Sequence, residues 1–145
     1  MSPKDIKGLV YAFNTAQIDQ IWTAIKFPVM RSAAVLNERS AESHVTTRER
    51  LYNQKFEEWS PEGPEREKHW SVLEKAFTTM KTWYDKTERK WLMGDTFSYA
   101  NILAVSGLFM FKWVLCKDEW KRITTWHDGY WERLLVEVER ECMVI

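Results

Sequence analysis

A chain of 145 residues is long enough for one domain with a sizeable core and short for two. Its 21 basic and 21 acidic side chains cancel, so net charge argues against nucleic acid as a partner, although a local patch could hide in a neutral total. Nine Trp, five Tyr and seven Phe exceed the usual share, and such a surplus either fills a core or lines a pocket for flat apolar molecules. The N-terminal MSPKDIKGLVYAF has no apolar run long enough for a signal peptide. No stretch reaches the roughly 20 apolar residues that span a bilayer, because the longest run, from Ile102, is stopped by Lys112. Cys116 and Cys142 show neither a disulfide framework nor metal spacing, and no Asn-x-Ser/Thr sequon occurs. A reduced, cytoplasmic compartment is the expectation, with neither nucleic acid nor membrane as partner.

Taken in order, Ile18, Ile21, Trp22, Ile25, Val29, Ala33 and Leu36 recur at helical spacing and predict a helix over 14–36, kinked at Pro28. A second helix is predicted over 41–59, with Val45, Tyr52, Phe56 and Trp59 on one side and Arg48, Glu49, Arg50 and Lys55 on a solvated one. Ser60-Pro61-Glu62-Gly63-Pro64 is a clear break. Beyond it Trp70, Leu73, Phe77, Met80 and Tyr84 alternate steps of three and four, predicting a helix over 64–88.

The fourth helix, over 98–114, has the layout of a capping box: Ser98 at the N-cap and Asn101 three residues on, where Glu or Gln is more usual. Its apolar run from Ile102 to Phe111 suggests a central helix buried on most of its surface. Trp120, Ile123, Trp126, Tyr130, Leu134 and Val138 imply one or two closing helices over 118–140, with Asp128-Gly129 inside the helical pattern. No segment alternates with period two. The fold class is all-α: a single domain, residues 1–145, of five to six helices.

The stretch Leu92, Gly94, Asp95, Ser98, Ala100 resembles the phrase that leads into the buried core helix of the C-terminal domain of glutathione transferases, with Asn101 in place of the family's Asp. Trp59 to Arg66, Trp70, Trp120 to Ile123 and Trp126 to Trp131 look like fungal transferases of the basidiomycete type, although Tyr130 stands where those carry Arg. The resemblance spans roughly Phe13 to Glu139. It implies a glutathione transferase C-terminal-like helical bundle. It also implies that the thioredoxin-like domain, which holds the thiol-activating and glutathione-binding residues, is absent from this chain. No catalytic residue can therefore be assigned, no cofactor is expected on the chain, and glutathione enters only if a thioredoxin-like domain is supplied.

Among the chemistry-bearing side chains, His44, His69 and His127 are too scattered for a metal site, and none is expected. Ser98 and Asn101 read as structural capping residues rather than catalytic ones. The paired carboxylates at Glu57-Glu58, Glu65-Glu67 and Glu137-Glu139-Glu141 read as solvated faces. Cys116, flanked by Lys112 and Lys117, reads as an ordinary surface thiol. The remaining candidate is the first helix, where Trp22, Lys26, Phe27 and Met30 make an aromatic and Met surface. In relatives the corresponding helix lines the site for the apolar co-substrate; ordinary core is the competing reading.

The expected function is a stand-alone helical domain that binds an aromatic small molecule or a protein partner, without glutathione chemistry of its own. A homodimer or a protein partner would cover apolar surface that a missing domain leaves exposed. The alternative is an enzyme: a transferase completed by a separate thioredoxin-like domain, or a small isomerase or cyclase using the helical pocket.

Overall fold

The computed structural model describes residues 11–12, 14–16, 18–19 and 26–142. Helix α1 (Lys26–Ser32) buries Phe27 and Pro28 and runs through a 3-10 turn, Ala33–Val35, into extended Leu36. Pro28, where the kink is expected, lies inside α1; residues 20–25, on the N-terminal side of the helix predicted over 14–36, lie outside the described residues. Asn37 caps α2 (Glu38–Tyr52): its backbone is extended and its side chain accepts from Ser40 N at 2.9 Å. The pattern predicted this helix over 41–59, but it ends at Tyr52. Asn53 turns left-handed (φ 47°), which Asn tolerates better than most residues, and the chain continues through a second 3-10 turn, Phe56–Glu58. None of the residues of α2 is buried, so it lies on the outside of the bundle.

Gly63 (φ 106°) and Pro64 then start α3 (Pro64–Asp85), the longest helix among the described residues. Pro64 has no N–H to leave unpaired in the first turn, and Glu65 and Glu67 suit the positive helix end. The stripe Trp70, Leu73, Phe77, Met80 and Tyr84 is wholly buried, with Ala76 among it. The helix stops at Asp85 rather than 88, and Glu88 is already left-handed (φ 49°). A tight turn follows, in which Trp91 and Gly94 exchange two backbone bonds of 3.0 Å.

Helix α4 (Tyr99–Val114) departs from expectation in two respects. Ser98 occupies the N-cap with an extended backbone, but its side chain caps nothing. Asn101 is buried and turns inward. Its Oδ1 accepts from Tyr84 Oη and from Leu92 N, both at 3.2 Å, while Nδ2 donates to Ser98 Oγ at 3.2 Å. It is a tertiary tie between α3, the Trp91 turn and α4, not one half of a capping box. Nor is the helix buried on most of its surface. Ala100, Asn101, Ala104, Val105, Leu108 and Phe111 form a buried stripe, whereas Ile102 is exposed and Trp113 is 76% exposed.

The closing segment is two helices, α5 (Lys117–Thr125) and α6 (Tyr130–Cys142), the second of the alternatives expected for 118–140. His127 (φ 54°) and Asp128 (φ 55°) are left-handed, as is Gly129 (φ 76°), and three such residues in a row end any right-handed helix. The turn is held from outside. Trp131 Nε1 donates to His127 Nδ1 at 2.9 Å, and the Arg133 guanidinium donates to the Asp128 carbonyl. With Nδ1 accepting, His127 carries its proton on Nε2 and donates to Thr78 Oγ1 at 3.1 Å; Thr78 in turn donates to the Glu74 carbonyl.

The core lies where α3, α4 and α6 meet, closed by α1 and Trp126. Phe77 is ringed by Phe111, Trp126 and Trp131 at centroid distances of 5.9, 5.3 and 5.0 Å. Such tilted and edge-on pairs add about 0.5–1.5 kcal/mol each beyond the area they bury. Most of the tryptophan surplus is therefore spent on packing. An ion pair joins α1 to α5, Arg31 to Glu119 at 2.6 Å. Among the described residues there is no strand, only isolated bridges in the Trp91 turn, and no helix is long and apolar enough to cross a membrane.

Candidate functional site

The left-handed break at Asn53 swings the chain back across the end of α2, and this reversal builds a groove between α1 and α2. Trp59, 3% exposed, forms its floor. Tyr52 meets Trp59 edge-on at 5.0 Å, and Phe56 packs on Trp59 at 4.8 Å. The returning loop is pinned by Glu49, which accepts from Phe56 N at 2.8 Å and from Lys55 Nζ at 3.1 Å. The Phe56 amide bond, then Lys55, hold the Glu49 carboxyl below the usual carboxylate range. Trp59 Nε1 donates to the Gln54 carbonyl, and Gln54 Nε2 to the Glu58 carbonyl.

Lys26 reaches into this frame from α1. Its Nζ lies 5.7 Å from the ring centroids of both Tyr52 and Trp59 and donates to Gln54 Oε1 at 3.2 Å. Val29, Thr47, Arg48 and Leu51 complete the walls of a cavity of about 320 Å³, at the small end for a ligand site. Arg48 donates to the His44 carbonyl of its own helix at 3.3 Å. The chemistry on offer is recognition: an aromatic and aliphatic cleft with two cations at its edge.

The four candidates on the first helix do not converge. Lys26 lines the groove. Phe27 is 1% exposed and stacks on Trp70 at 5.1 Å in the core, and Met30 is half-buried against the same core. Trp22 lies outside the described residues. Sequence reasoning missed Arg48, Tyr52 and Trp59 as groove residues. Arg48 read as solvated surface, and the two aromatics read as one helical face although they stand on either side of a chain reversal. The Asn53-Gln54 dipeptide, with Asn tolerant of left-handed backbone, was the available signal.

Elsewhere, Ser60 Oγ lies 2.8 Å from His69 Nδ1. That resembles a nucleophile and base, but Ser60 is fully buried, and its carbonyl is clamped by Arg66 at 2.6 Å. No substrate reaches it, and the pair ties the Ser60-Pro61 break to α3. Burial pushes the His69 proton affinity down, against the opposing charge of Glu65. A larger groove of about 520 Å³ runs between Lys90, Trp91, Tyr130 and Glu137, but its lysine already meets Glu137 at 2.9 Å and Glu141 at 3.4 Å. Among the described residues no cluster of three or more His, Cys, Asp or Glu could hold a metal, and Cys116 and Cys142 are free and exposed.

A family model described as glutathione S-transferase, C-terminal domain, matches residues 8–140. The chain belongs to that family. Two crystal structures of glutathione S-transferases from Ceriporiopsis subvermispora, each in complex with glutathione, share the fold of this transferase-family domain. One is 32% identical over 95% of the domain, with a TM-score of 0.86; the other is 33% identical over 99%, with a TM-score of 0.88. The domain spans 57% and 59% of those two chains. A comparison with curated proteins finds no match.

Proposed function

We propose that this transferase-family domain recognises an apolar or aromatic small molecule in the groove between α1 and α2, and that it contributes no thiol-activating group of its own. The observation that carries this reading is the Lys26, Tyr52 and Trp59 constellation. Two aromatic rings at right angles, one of them the floor, border a cleft that opens to solvent and carries a lysine with no carboxylate in the lining. Glutathione chemistry then belongs to a thioredoxin-like domain, whether on the same polypeptide or another, and the domain works in a reducing cytoplasm.

Calorimetric titration with 2-naphthamide tests this. Tyr52 is 40% exposed, so removing its ring spares the core. Tyr52→Ala is expected to weaken binding by about fivefold, the loss of one aromatic contact of roughly 1 kcal/mol. Unchanged affinity in that variant places the ligand elsewhere. With glutathione and a standard electrophile, conjugation by this chain alone is expected to stay at background; turnover sensitive to groove mutations would support the enzymatic alternative.

A second reading has its own observation. Val35, Phe109, Met110, Trp113 and Val114 form an apolar surface patch on the outer side of α4. Exposed apolar patches of this kind are commonly covered by a partner. A homodimer or a protein partner seated on Trp113 would account for it.

A further inference from the structure

We infer that the ligand of the α1–α2 groove carries a negative charge, a small aromatic carboxylate being the class that fits; this rests on the reading that the groove receives an apolar body. The groove lining contains two cations, Lys26 and Arg48, and no carboxylate. Among the described residues neither cation meets an acidic side chain. Arg31, Arg66, Lys90 and Arg122 show the contrast, since each is paired with a carboxylate at 2.6–3.1 Å. Many surface cations among the described residues also lack an ion pair; what sets this cleft apart is that two of them share one lining without a carboxylate, whereas the Lys90 groove carries Glu132 and Glu137.

The local bonds keep these charges in place without cancelling them. Gln54 Oε1 is a neutral acceptor, so it aims the Lys26 ammonium and leaves its charge whole. The Tyr52 and Trp59 rings lie beside that ammonium and leave it unneutralised. Among the described residues Arg48 bonds to a carbonyl of its own helix and to no carboxylate, which leaves donors of its fork for a ligand carboxylate. Glu49, next to Arg48 in sequence, is occupied by Lys55 and the Phe56 amide.

Size narrows the ligand further. A cavity of about 320 Å³ suits one or two fused rings, with the ring body against Val29, Leu51 and Tyr52 and the carboxylate between the two cations.

The test compares 2-naphthoate with its neutral isostere 2-naphthamide by calorimetry on the full chain, with Lys26→Gln, Arg48→Gln and the double variant alongside. The carboxylate is expected to bind about tenfold more tightly than the amide, the scale of a charge-assisted hydrogen bond. That advantage, read as the ratio of the two affinities within each protein, should fall to about twofold or less in the double variant. Equal affinity of the two probes for the native chain overturns the charge inference and leaves the apolar groove standing. Binding of neither probe overturns both. A preference that survives in the double variant also overturns the inference, because the anion then sits elsewhere. Should the double variant fail to fold, amide shift changes on the native chain decide the case: naphthoate must perturb Thr47, Arg48 and Leu51, and an unperturbed α2 rejects the site.

Discussion

Asn101 shows how much one side chain can hold. Both the Tyr84 hydroxyl and the Leu92 amide depend on its Oδ1, and burial raises the Tyr84 proton affinity so that the phenol remains a donor. Asn101→Ala removes that acceptor from two donors, and each abandoned group costs about 1–3 kcal/mol if water cannot replace it. Chemical denaturation should therefore show a loss of about 2–4 kcal/mol with little change in the slope against denaturant. A loss near zero would mean that water enters the site freely.

His127 makes a second argument at this scale. It must stay neutral, because protonating Nδ1 would set that N–H against the Trp131 Nε1–H. Burial, followed by the Lys81 charge, lowers its proton affinity below the ordinary value of 6.5; His69 is lowered too, also mainly by burial. As pH falls, the unfolded chain takes up protons first. Stability is thus full above pH 6.5 and declines as pH drops through the folded-state values. The His127→Asn variant keeps a side chain that tolerates left-handed backbone. Thermal unfolding from pH 8 to 5 should show a shallower decline for it than for the native chain, with the His69 contribution remaining; an identical decline would remove His127 from the account.

At the scale of elements, α2 and the left-handed turn before α6 behave in opposite ways. Helix α2 buries none of its residues and is retained by its Asn37 cap, the Glu49 anchor and the contact of His44 with Phe56 at 5.8 Å. A helix held so lightly opens without unfolding the rest. Hydrogen exchange should therefore release the amides of 42–52 well before those of α3 and α4, and an aromatic ligand in the groove should slow the α2 amides selectively. The turn at 126–129 is over-determined instead, with His127, Arg133 and Trp131 all bonded across it. Gly129 (φ 76°) is its least replaceable backbone position, because a Cβ there would meet Arg133 Nη1 at 3.2 Å in addition to the strain of left-handed backbone. Gly129→Ala should cost about 1–2 kcal/mol by urea denaturation.

For the molecule as a whole, the apolar outer face of α4 around Trp113 is the surface on which association is tested. If a second copy covers Trp113, sedimentation at micromolar concentration should show a dimer that Trp113→Glu converts to a monomer with its fold intact. A monomer in the native chain under the same conditions would leave the face to another partner.

The bundle itself was legible in the residue order. The stripe from Trp70 to Tyr84 and the Ser60-to-Pro64 break each record a local rule, either a helical period that sorts apolar from polar or a proline that admits one backbone geometry. The groove and the tie at Asn101 were not legible. Tyr52 and Trp59 follow a helical period that Asn53 cancels, so the same spacing carries them across a reversal instead of along a face. Ser98 and Asn101 obey the spacing of a cap, yet Asn101 bonds to residues 17 and 9 positions away. Periodicity encodes which side chains leave water, because neighbours along a helix share that fate. Which cation meets a carboxylate and which is left for a ligand depends on elements far apart in the chain, and packing alone brings those together.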